Sequence, residues 1–79
     1  VTIYLKVGGM LKERLHTDVD EWTRRVETEP GSTLRQVIEG LGLKAVHVAM
    51  AFSGDRLVPL SYVPHDGEVI TLRPPVQGG

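Results

Sequence analysis

A helix with both ends written into the sequence lies between the Thr33 cap and Gly42, and it dictates a two-layer plan for a chain of only 79 residues. Pro30-Gly31 turns the chain ahead of it. Thr33 and Gln36 then have the spacing of a capping box, in which the threonine hydroxyl satisfies a free amide and the glutamine bonds back. Leu34, Val37, Ile38 and Leu41 follow at i, i+3, i+4 and i+7 and form one apolar stripe. Burying each is worth roughly 1.5 to 3 kcal/mol, so the stripe needs a partner layer. Gly42 suits a left-handed residue after the last turn, and Leu43 can fold back over it.

The partner layer is a sheet. Val1, Ile3, Leu5 and Val7 alternate with polar residues, which predicts a half-buried first strand ended by Gly8-Gly9. Met10 to Asp20 reads as a polar, flexible connection. A second strand is expected over Glu21 to Thr28, with Trp22 and Val26 on one face beside the stem of Arg24. After the helix, Val46, Val48, Met50 and Phe52 alternate with His47, Ala49 and Ala51, and Ser53-Gly54-Asp55 supplies a reversal. Leu57-Val58 makes a brief fourth strand before Pro59. Asp66-Gly67 turns into a last strand, Glu68 to Arg73, with Ile70 and Leu72 inward. The expected class is α+β, one main helix across a mixed sheet of four to five strands.

Composition narrows the function. One domain fills this length, and 41% apolar with 24% charged residues is globular. The absence of cysteine removes disulfides, thiolate metal ligands and a thiol nucleophile together. A formal charge of -1 gives no electrostatic reason to expect nucleic acid. No apolar run is long enough to span a membrane, so the expected location is cytoplasmic. His16, His47 and His65 lack metal-ligand spacing, so no metal is expected. Asp18, Asp20 and Glu21 lack the glycine and distant glutamate of a calcium loop. Ser53 and Ser61 lie in no nucleophile elbow, and Gly8-Gly9 lacks the lysine and hydroxyl of a phosphate loop. Arg24-Arg25 is too small for an RNA footprint. The chain offers no catalytic constellation of its own.

Chemistry is expected instead at Gly78-Gly79. Pro74 and Pro75 fix φ and cannot continue a hydrogen-bond ladder, so the residues after them should leave the folded body. The division is therefore a domain over 1–75 and a tail over 76–79. Five or six extended residues at about 3.3 Å each would carry the terminal carboxylate roughly 15 to 20 Å from the domain. Val76 and Gln77 lead to two glycines that fit a channel too narrow for side chains. The Gly79 carboxylate is an anion at neutral pH and must be activated before it can accept a nucleophile.

Pro30-Gly31-Ser32-Thr33-Leu34 before a helix, Asp66-Gly67-Glu68-Val69 before a last strand, and Arg73-Pro74-Pro75-Val76-Gln77-Gly78-Gly79 together resemble the MoaD/ThiS family of ubiquitin-like sulfur carriers, on the MoaD side. The likeness covers about Glu29 to Gly79. Gly8 to Asp20 is longer and more polar than the family's first turn, and Arg73 stands where many members carry a large apolar residue. The resemblance implies a β-grasp fold and the role of small subunit of molybdopterin synthase, a sulfur-donating part of a sulfurtransferase complex. It implies that a MoeB-like enzyme uses ATP to adenylate Gly79, that a sulfur donor protein converts it to a thiocarboxylate, and that a MoaE-like large subunit receives the sulfur for the dithiolene of molybdopterin. No cofactor would be bound by the chain itself. Thiazole synthesis, tRNA thiolation and protein conjugation are the alternatives within the same fold. Arg73, Pro74, Pro75, Leu57 and Val58 are the expected docking residues, because a sheet face near the tail's exit can fix where the tail enters a partner.

Overall fold

The computed structural model describes residues 1–8, 11–44 and 47–74. Gly9, Met10 and Val46, assigned above to a turn, a connection and a strand, lie outside them. So do Pro75, Val76, Gln77, Gly78 and Gly79. Five strands form one mixed sheet: β1 (Thr2–Val7), β2 (Thr23–Glu27), β3 (Met50–Ser53), β4 (Arg56–Val58) and β5 (Val69–Arg73). Their spatial order is β2-β1-β5-β3-β4, with β1 and β5 parallel in the middle and the other pairs antiparallel. Among the described residues two helices accompany the sheet, α1 (Leu11–Leu15) and α2 (Leu34–Gly40). This is the β-grasp, ubiquitin-like fold.

Alternation in the central strands builds the core as expected. Ile3, Leu5, Ile70 and Leu72 are fully buried and meet Leu34 and Ile38 of α2. α2 starts at Thr33, whose Oγ1 accepts from the Gln36 N–H while Gln36 Oε1 accepts from the Thr33 N–H. The next two free amides find tertiary partners: Leu34 N–H donates to Tyr62 O and Arg35 N–H to Leu60 O, both at 2.9 Å. The loop after β4 is thereby tied to the helix start, and no donor of the first turn is left without an acceptor. At the other end Gly42 has φ 87°, Gly42 N–H donates to Glu39 O, and Leu43 N–H donates to Ile38 O. These two bonds make a Schellman cap, and Leu43 is buried against the helix.

Three expectations are corrected. The polar connection contains α1, whose Leu11 and Leu15 are core residues at 1% and 0% exposure. Two leucines four apart lie on one helical face, but the surrounding charged residues masked the period. Trp22 does not share a buried face with Val26. It precedes β2, stands 46% exposed, and is held there because its own N–H donates to Asp20 Oδ1 and its carbonyl accepts from Val7 N–H. In β3 the inward residue is Ala51, opposite Leu72, whereas Met50 and Phe52 face outward opposite Arg73 and Thr71. Val48 is also buried. A bend at Ala49 shifts the alternation between those two inward positions.

Candidate functional site

β5 ends at Arg73, just ahead of the expected tail over 76–79. The Arg73 carbonyl still accepts from Ala49 N–H at 2.9 Å, but Pro74 has no N–H and the ladder stops. Parallel β1 finishes beside it, with Val7 opposite Leu72. Both strand ends open on a trough of about 450 Å³ lined by residues from β1, β3, β5, Trp22 and Pro74.

The sheet face away from the helices continues from this trough. Register and alternation put Tyr4 and Lys6 of β1, Arg25 and Glu27 of β2, Val69, Thr71 and Arg73 of β5, Met50 and Phe52 of β3, and Leu57 of β4 on that face. Arg73 lies over the Phe52 ring at 5.6 Å, so its guanidinium is held against the sheet by a cation–π contact. Of the described strand residues on this face, Lys6, Arg25 and Arg73 are cations and Glu27 is an anion already bonded to Arg25 at 3.2 Å and to the Thr2 hydroxyl. An apolar face with a positive rim has therefore been assembled from a chain of net charge -1.

The expected docking residues divide. Arg73 is exposed and Pro74 half-buried at the exit. Leu57 is 60% exposed and pairs with Phe52, but Val58 points to the core at 6% exposure. Pro75, Val76, Gln77, Gly78 and Gly79 fall outside the described residues. Lys6, Trp22, Met50 and Thr71 were not anticipated as part of the site. Their signal lay in the outward-facing alternate positions of strands selected for their inward ones.

A second polar cluster lies at the opposite end of β5. Glu68 Oε2 accepts from the Ser53 hydroxyl and from Tyr62 Oη at 2.6 Å, and Oε1 accepts from His65 N–H at 2.7 Å. Burial alone would raise the Glu68 pKa, but the Ser53, Tyr62 and His65 hydrogen bonds outweigh it and hold the carboxyl down at about 2. The cluster fastens the loop between β4 and β5 to the sheet. Among the described residues no three His, Asp or Glu side chains gather to hold a metal ion, and no helix is long and apolar enough to cross a membrane.

The fold agrees with that of known proteins. The profile of the Mut7-C ubiquitin family matches residues 1–78. The crystal structure of SAMP1 from Haloferax volcanii superposes with a TM-score of 0.71 at 19% identity, covering 100% of both chains. A second crystal structure, of H. volcanii small archaeal modifier protein 1, gives 0.71 at 18% identity over 95% of this chain and 98% of the other. No curated protein matches the sequence.

Proposed function

Because the chain belongs to the Mut7-C ubiquitin family, we propose that it is a β-grasp carrier whose reactive group is the carboxyl carbon of Gly79. One observation carries this reading: the central strand of the sheet ends at Arg73-Pro74 beside an open trough and an exposed apolar face, five residues ahead of that carbon. In a chain that runs beyond Gly79, the same chemistry requires cleavage after that residue.

The finer form of the proposal is a sulfur carrier of the molybdopterin synthase type. A MoeB-like enzyme joins the Gly79 carboxylate to AMP from ATP and releases pyrophosphate. A sulfide-level donor then attacks the acyl carbon, AMP leaves, and a thiocarboxylate remains. A MoaE-like subunit takes that sulfur onto a pterin. The domain's own part is to bind and aim, since binding energy at the sheet face converts the tail's reaction into an oriented, local one. ATP is used by the partner, and the carrier needs no cofactor of its own.

Intact mass tests it directly. Incubation with the activating enzyme, ATP and sulfide should replace one oxygen by one sulfur, and the form lacking Gly79 should remain unmodified while staying folded. An unchanged mass with an enzyme shown to be competent on another carrier would refute the proposal. The H. volcanii protein is called a small archaeal modifier, which favours protein conjugation as the second reading. There an isopeptide would form between Gly79 and a lysine, visible as a branched tryptic peptide in which the target lysine carries a carrier segment ending in Val76-Gln77-Gly78-Gly79.

A further inference from the structure

Lys6, Trp22, Met50, Arg73 and Pro74 border the trough at the end of the sheet, with Val7 and Leu72 buried beneath them. We propose that this trough docks an acidic, apolar peptide segment of a partner protein, seating one hydrophobic side chain between Trp22 and Met50 with Asp or Glu directed to Lys6 and Arg73.

Charge selects this occupant. Lys6 and Arg73 are exposed and make no ion pair within 4.0 Å among the described residues. Lys12, beside Trp22, differs: it sits 4.4 Å from the Trp22 ring centre and bonds Glu21 at 2.8 Å. Asp20 feels the Lys6 charge, but its Oδ1 is occupied by the Trp22 N–H at 2.7 Å. Among the described residues neither cation has a carboxylate in contact, and only Lys6 is partly offset, by the longer-range charge of Asp20. A neutral apolar segment would leave that charge unused, and a basic one would be repelled.

The chemistry of the border also fits a binding centre. Tryptophan and arginine are the residue types that most often dominate interface energetics, because each presents a large rigid surface with a polar handle. Both are restrained before any partner arrives, Arg73 over Phe52 and Trp22 under Lys12, which lowers the entropy lost on binding. Pro74 ends the trough, so a segment seated there lies next to the start of the tail. The identity of the partner as an activating or acceptor enzyme rests on the carrier reading; the trough's preference for acid does not.

Trp22 is the only tryptophan, so its indole N–H gives one isolated resonance. A ¹⁵N-labelled sample titrated with a short peptide of alternating Glu and Leu should show saturable shifts of that resonance and of the Lys6, Thr71 and Arg73 amides. Raising the salt should weaken binding. Lys6→Glu and Arg73→Glu should each weaken it about tenfold, equivalent to about 1.4 kcal/mol, with the rest of the spectrum retained. A Lys/Leu peptide should bind far less. Absence of shifts at millimolar peptide, or equal shifts with the Lys/Leu peptide, would overturn the proposal. Shifts of the same resonances with protein concentration alone would also overturn it and assign the trough to a second copy of the chain. No activating enzyme, ATP or Gly79 enters this experiment, so its failure and failure of the mass test are separate results.

Discussion

Tyr62 Oη donates to Glu68 Oε2 at 2.6 Å, joining the loop after β4 to the first turn of residues leading into β5. That same loop supplies Leu60 O and Tyr62 O to the free amides of α2. One phenol thus links the helix start, the loop and the central strand. The carboxylate it bonds is 15% exposed, shielded enough for the interaction to count.

The first prediction concerns acid. Glu68 titrates near 4.5 when unfolded and at about 2 when folded, and each pKa unit is worth about 1.4 kcal/mol. Its folded value is depressed, so the stabilisation is complete above the unfolded value and drains away as pH falls from about 4.5 to about 2. The full amount is at most about 3 kcal/mol. Urea unfolding of Glu68→Gln should show lower stability than wild type at neutral pH and a flatter dependence across that acid window. Parallel curves for the two proteins would remove Glu68 from the account.

Tyr62 tests the same contact from the basic side. The hydrogen bond to Glu68, with burial adding to it, raises the Tyr62 pKa above 10.0. A neutral phenol is favoured in the fold, so this contribution is kept below the unfolded value and lost as pH rises through the folded one. Phenolate absorbance should therefore appear at higher pH for Tyr62 than for a free phenol, and Glu68→Gln should bring it down. Tyr62→Phe should cost about 1 to 2 kcal/mol, since a buried acceptor loses its donor.

Leu15→Ala should cost about 2 to 5 kcal/mol, the range for truncating a fully buried leucine. A cost near that of an exposed site, measured by denaturant midpoint, would show α1 to be peripheral to the core.

Neighbouring residues on β4 should separate binding from folding. Leu57→Ser lies on the exposed face and should leave stability within about 0.5 kcal/mol, while weakening capture of any sheet-face partner. Val58→Ser, on the buried face, should destabilise by about 2 kcal/mol or more. Thermal melts and pull-down with the activating enzyme read the two effects independently.

Helix α2 (Leu34–Gly40) and the turns at Pro30-Gly31 and Asp66-Gly67 were legible because each rests on contacts within a few residues. The cap bonds of Thr33 and Gln36 and the positive φ of Gly42 are local events with local signatures. α1 was not legible. Two buried leucines among charged neighbours are too few to set a period, and they are buried in a core assembled from residues as far along the chain as Leu72. The outward turn of Phe52 was hidden for a related reason: a bend at Ala49 shifted the alternation, and the ring is covered by Arg73, a residue 21 positions away in the numbering.

The sequence by itself determined the order of the strands and the main helix, the two-layer α+β plan, the cap of that helix, the inward faces of β1 and β5, and the end of β5 ahead of Pro74. These follow from side-chain periodicity and backbone restrictions that act between near neighbours. Only the tertiary structure decided that Trp22 stands at the end of the sheet, that Lys6, Arg25 and Arg73 gather on one face of a weakly acidic chain, and that Glu68 is held ionised by Ser53, Tyr62 and His65. Electrostatics and surface shape depend on which strands become neighbours, and that pairing is set by burial of the whole core rather than by any one segment.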